Sequence, residues 1–171
     1  MDSVELAGLL ADAMDDQAHQ LRRFADAESD LRNRVVDRAP AGDHMQAVHV
    51  AIDELRRLTA NIERSDNERD SVFLRLRQEL GVADSARLRD VIAWLPEKAR
   101  VGVQLSFNAL RAAASGVRGT SDRLGHLFRS ISGTMGALID ELLPGVSGAG
   151  YAADGRRIGL DQPSLLVDQH R

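Results

Sequence analysis

Apolar residues recur along this chain in steps of three and four, the spacing that lays them along one face of a helix. Between Asp2 and Arg38 the seam reads Leu10, Met14, Leu21, Phe24, Leu31 and Val35, with Gln17 and Glu28 at the two positions the apolar residues skip. Ser3, with Leu6 beyond it, marks a helix start, and Pro40 stops the helix. A second helix over residues 43–80 carries Met45, Val48, Ile52, Leu55, Thr59, Ile62, Asp66, Arg69, Phe73, Leu76 and Leu80 on its seam. Asp43 suits its N-cap and Gly81 its C′ position.

Asp66 and Arg69 are charged residues at seam positions, inside the polar run ERSDNERDS. Charge runs are usually solvated faces, which favours a partly solvated stretch. The other reading is a buried polar pair that fixes helix register.

A short helix over residues 85–95 follows, capped by Ser85, with Leu88, Val91, Ile92 and Leu95 on one face and Trp94 on its flank. A lone Trp there reads first as a packing anchor. The last helix, residues 96–143, opens with Pro96 near its first turn and ends at Leu143-Pro144. Its seam is Val103, Phe107, Leu110, Ala114, Val117, Ser121, Leu124, Phe128, Ile131, Met135, Leu138 and Leu142. At ~1.5 Å per residue such a helix spans roughly 70 Å, which predicts an elongated antiparallel helical bundle of coiled-coil character. The pattern therefore gives an all-α fold, a helical bundle over residues 1–143 and an irregular C-terminal tail over 144–171.

In the second half of the last helix the apolar stripe widens through Leu127, Ile139 and Leu143, and Gly116, Gly119, Gly125, Gly133 and Gly136 interrupt it. Each interior glycine costs about 1 kcal/mol against alanine. Two explanations stand: close approach of another helix, or a malleable apolar surface that packs on a partner.

Composition narrows the function classes. The 171 residues carry 22 basic and 26 acidic side chains, a formal charge of −4, which is no nucleic-acid footprint. There is no cysteine, so disulfides, thiol nucleophiles and thiolate zinc sites are excluded. No apolar run reaches the ~18 residues of a membrane span, so no membrane insertion is expected. The stretch MDSVELAGLLADAMDD is acidic on both sides of its apolar core, unlike a secretory signal, and a cytoplasmic location is expected.

Gly148-Ala149-Gly150-Tyr151-Ala152-Ala153 fits the G-x-G-x-x-[GA] pattern, but it follows a helix stop rather than a strand, which argues against dinucleotide binding. Among His19, His44, His49, His126 and His170 none forms the i, i+4 pair of a zincin helix. Asp16 and His19 have one carboxylate-x-x-His spacing of the kind di-metal bundles use, without the second pair those sites require, so His19 reads as a surface residue. No Walker loop, G-x-S-x-G or EF-hand loop occurs. The expectation is a non-enzyme with no catalytic residues, no metal and no cofactor.

The order of features resembles the FlgN-type flagellar export chaperones along nearly the full chain. A long first helix precedes a second with Glu63-Arg64 and Glu68-Arg69 near its end and the closing text LRQELGV; a short helix ends in WLP; a long helix carries LSFNALRAAASGV; and Y-A-A-D-G-R follows. The resemblance implies a cytoplasmic chaperone of flagellar type III export. Such a protein binds hook-filament junction proteins through their amphipathic C-terminal helices, prevents premature assembly and delivers them to the export gate. It also implies a gate-docking role for Tyr151, the only tyrosine in the chain; packing of Tyr151 back on the bundle is the other reading.

A client helix must hide its apolar face, and Leu124, Leu127, Phe128, Ile131, Met135, Leu138 and Leu142 form the candidate client-binding stripe. Met and Gly let such a surface re-pack. Leu165, Leu166 and Val167 form a short apolar segment suited to lie on the same stripe as a self-mimic of the client. A self-associating coiled-coil structural or adaptor protein is the alternative function, and a homodimer stays open under either reading. The WxG turn of one class of helical secretion substrates is absent, since Trp94 is followed by Leu95-Pro96.

Overall fold

The computed structural model describes residues 2–36, 41–142, 150–151 and 157–158. Among the described residues there are four helices: α1 (Ser3–Val36), α2 (Ala41–Glu79), α3 (Leu88–Trp94) and α4 (Glu97–Leu142). A two-residue antiparallel pair follows, β1 (Gly150–Tyr151) and β2 (Arg157–Ile158), with Gly150 opposite Ile158 and Tyr151 opposite Arg157. The fold is all-α apart from this pair, which no alternating pattern announced. The chain divides into two compact units, Met1–Gly125 and His126–Arg171.

The helix ends show which local signals won. Asp2, rather than Ser3, caps α1: its carboxylate accepts from the Val4 and Glu5 amides, and Glu5 reaches back to the Asp2 amide at 3.1 Å. This reciprocal arrangement satisfies donors that the first turn leaves free. Asp43 lies inside α2, which starts two residues earlier, at Ala41. Gly81 takes a φ of +62°. Its amide bonds the Gln78 carbonyl and the Val82 amide that of Arg77, which closes α2 in a Schellman turn.

Ser85 does not cap α3. That helix begins at Leu88 after Arg87, whose amide donates to the Asp90 carboxylate at 3.1 Å. Arg100 fastens the α3–α4 elbow by donating to the carbonyls of Ala93 and Leu95 at 3.1 and 2.8 Å. Arg77 holds the preceding loop: it lies 5.3 Å over the Phe73 ring and bonds the Asp84 carbonyl.

In the first unit α1 and α2 run antiparallel, since Gln17 meets Asp66 and Arg69 while Leu31 clusters with Ala51. The first part of α4 runs parallel to α1, with Ala7 near Val103 and Glu28 near Thr120. The main core gathers Leu6, Leu10 and Met14 of α1, Leu76 of α2, Val91, Ile92 and Leu95 around α3, and Val103 and Leu110 of α4. Fully burying a Leu or Met side chain contributes about 1.5–3 kcal/mol. A second cluster joins Leu31, Ala51 and Leu124.

The buried stripe of α4 departs from the expected seam. Val103, Leu110 and Leu124 are buried and Phe107 and Val117 half-buried, as the seam expects, but Ser106 and Ala113 are buried as well. Ala114 and Ser121 are exposed. Residues of both α1 and α2 cluster with α4 here, so its buried face is wider than a two-stranded seam. Trp94 is no packing anchor: it is 70% exposed, while Val91, Ile92 and Leu95 face the core.

Candidate binding surface

Two polar layers set the register of the helices that carry the candidate surface. Gln17 is 5% exposed. Its amide donates to Asp66 at 2.8 Å and its carbonyl accepts from Arg69 at 2.7 Å. Arg69 also bridges Asp66 at 2.8 Å and Asp70 at 2.6 Å. The charged residues on the α2 seam are partly solvated, the Asp66 side chain 46% exposed and that of Arg69 24%, and they also answer the polar residue on the α1 seam. Glu28, 6% exposed, accepts from the hydroxyls of Thr120 and, at 2.6 Å, Ser121. This layer ties α1 to α4 just before the apolar stripe begins. Glu54 of α2, which also pairs with Arg23 of α1, is held below the usual carboxylate range by its hydrogen bond to Arg57, with Arg23 adding to the effect.

The candidate client residues fall into two groups. Leu124 belongs to the first unit and is buried with Leu31 and Ala51. It serves the chain's own core, not an open surface. In the second unit Leu127 is half-buried, whereas Phe128, Ile131, Met135 and Leu138 are all exposed, Phe128 at 43% and Met135 at 55%. Their steps of three and four keep them on one face of α4. The side chain of Leu142 and the segment Leu165 to Val167 lie outside the described residues.

The glycines of this stretch do not serve close helix packing. A Cβ added at Gly116, Gly125, Gly133 or Gly136 would meet nothing within 4 Å, and at Gly119 only the Arg123 side chain at 3.7 Å. Of the two explanations for these glycines, close approach of another helix has no support among the described residues. What they do supply is a helix that is less costly to bend.

Tyr151 sits on β1, opposite Arg157. The described part of the Gly-rich text, Gly150-Tyr151, is therefore a strand residue pair rather than the turn that opens a phosphate-binding helix. His19 is exposed. Among the described residues no cluster of His, Asp and Glu is arranged to hold a metal ion, and no helix is long and apolar enough to cross a membrane.

Sequence reasoning passed over other exposed apolar side chains, among them Leu9, Val101 and Leu105. A signal was available: all three are apolar residues off the seam of a helix whose seam is otherwise complete. Comparison of the chain with protein-family models, with curated proteins and with solved structures returns no match.

Proposed function

We propose that this chain is a helical escort protein of the flagellar export type. It shelters the amphipathic C-terminal helices of hook-filament junction proteins in the cytoplasm and hands them to the export gate. One observation carries the reading: Phe128, Ile131, Met135 and Leu138 form an exposed apolar strip on a glycine-interrupted helix. An apolar strip of this kind is a groove-forming element for another helix. Its Met and Gly content lets the strip re-pack around different clients. Ordering a loose surface lowers net affinity, which suits a cargo that must be released.

In this reading Tyr151 provides the gate contact, and the two polar layers hold the helical platform in register. The chain performs no catalysis and needs no cofactor. Co-expression with a hook-filament junction protein tests the proposal. The wild-type chain co-purifies with its client, and Leu127→Asp combined with Phe128→Asp loses it while retaining helical circular dichroism. Normal co-purification by the double variant would place the client elsewhere.

A further inference from the structure

Phe128, Ile131, Met135 and Leu138 follow one another by three, four and three residues, the a and d positions of a heptad. Leu127 and Thr134 then border the exposed strip on one side and Ser132 on the other. His126 and Arg129 do not border it: at about 100° per residue they fall roughly 140–160° round the helix from the middle of the strip. From Ser130 to Leu138 the sequence has no charged residue on any face, in a chain of which 28% is charged. Along the two bordering lines the nearest charges are Arg118 before the strip and Glu141 after it.

Bordering positions are where paired helices usually set complementary charges. The chain does so in its own α1–α2 hairpin, where Arg23 pairs with Glu54 at 3.5 Å. At the strip the borders offer a half-buried leucine and two hydroxyls instead. Thr134 already donates its hydroxyl to the Ser130 carbonyl at 3.0 Å. A Lys or Glu of an incoming helix, laid against these side chains, would give up part of its hydration and meet no opposite charge.

We infer that the strip receives a helix whose own borders are uncharged, and that it rejects helices with Lys, Arg, Asp or Glu beside their apolar face. The occupant is a protein segment with an apolar seam edged by Ser, Thr, Asn, Gln or small apolar residues. Discrimination comes from unmet charge rather than from an added attraction. Because no charge pair forms, affinity varies little with salt. This rests on reading the strip as the client surface and adds the client's chemistry to it.

Three synthetic peptides test the inference. Each copies the apolar face of the C-terminal helix of a hook-filament junction protein, and they differ only in the bordering residues, which are all Gln, all Lys or all Glu. These three residues have similar helix propensity, so peptide folding does not set the differences. Fluorescence anisotropy titrations against the full chain are compared at about 0.15 M salt, where distant charges are screened. The Gln peptide binds tightest, and the Lys and Glu peptides each bind about tenfold or more weaker. The Gln affinity stays within about twofold from low to high salt. Ser132→Lys with Thr134→Lys, both exposed positions, turns the order in favour of the Glu peptide and makes that binding salt-sensitive. A wild type that binds the Lys or Glu peptide as tightly as the Gln peptide, or more tightly, overturns the inference and leaves the client surface standing. An unchanged order in the double variant also overturns it, because the borders would then not be what selects. If none of the peptides binds, the reading of the strip as a client surface falls together with the inference.

Discussion

Gln17 of α1 and Arg69 of α2 meet through a 2.7 Å hydrogen bond, although 52 residues separate them. Each is a polar residue on a largely apolar seam, and the bond offsets part of the cost of burying Gln17. A helix slipped by one turn would set Gln17 against apolar side chains and leave its amide unpaired. Gln17→Leu is expected to lower stability by about 0.5–1.5 kcal/mol, the net worth of a lost hydrogen bond, since Arg69 keeps Asp66 and Asp70 and Asp66 reaches water. Urea denaturation checks this through a lower midpoint at an unchanged slope.

Glu28 behaves differently. It is buried with two hydroxyl donors, and among the described residues no cation pairs with it. Thr120 already has the Val117 carbonyl at 2.9 Å as a second acceptor, and Ser121 is exposed to water. Neither hydroxyl is stranded if the carboxylate goes. Glu28→Leu should therefore be neutral or stabilising by about 1 kcal/mol, since apolar replacement of a buried charge often is. Thermal unfolding of the variant measures it.

The glycines of α4 give a third expectation. Since nothing lies within 4 Å of a Cβ at Gly133 or Gly136, alanine fits both places. Gly133→Ala with Gly136→Ala should raise helical stability by about 1 kcal/mol per site. It should also narrow the range of clients, because the strip bends less readily around each one. Circular dichroism melting and competition between two client helices read the two effects.

Most of the fold was legible in the seams: four helices and the closing glycine at Gly81 follow from apolar spacing and turn chemistry. The places that were not legible have physical reasons. Asp2 and Ser3 are both good caps, and only the reach of Glu5 back to the Asp2 amide decides between them. A two-stranded heptad template puts Ala114 and Ser121 on the α4 seam, but they are exposed while Ser106 and Ala113 turn inward, beside a Phe107 that packs on the core as the template expects. That the partly solvated Asp66 and Arg69 also bond Gln17 depends on a residue far away in sequence. At the candidate surface the stripe was visible, but its division was not. That Leu124 is consumed by Leu31 and Ala51, while Phe128 and beyond stay open, depends on where α1 and α2 meet α4.

Tyr151 tests the separation of two roles. If it contacts the export gate, Tyr151→Ala lowers gate binding about tenfold or more, as hot-spot aromatic residues do, and leaves client affinity unchanged. Parallel titrations with an export-gate cytoplasmic domain and with a client helix check this. A loss in both, or in neither, contradicts the assignment.

Amide hydrogen exchange along α4, with and without a peptide from the C-terminal helix of a hook-filament junction protein, addresses the exposed strip directly. Client binding should slow exchange between Leu127 and Leu138 and leave the Gln17–Arg69 layer unchanged. Unaltered exchange across Leu127–Leu138 in a saturated complex would show that the strip does not hold the client.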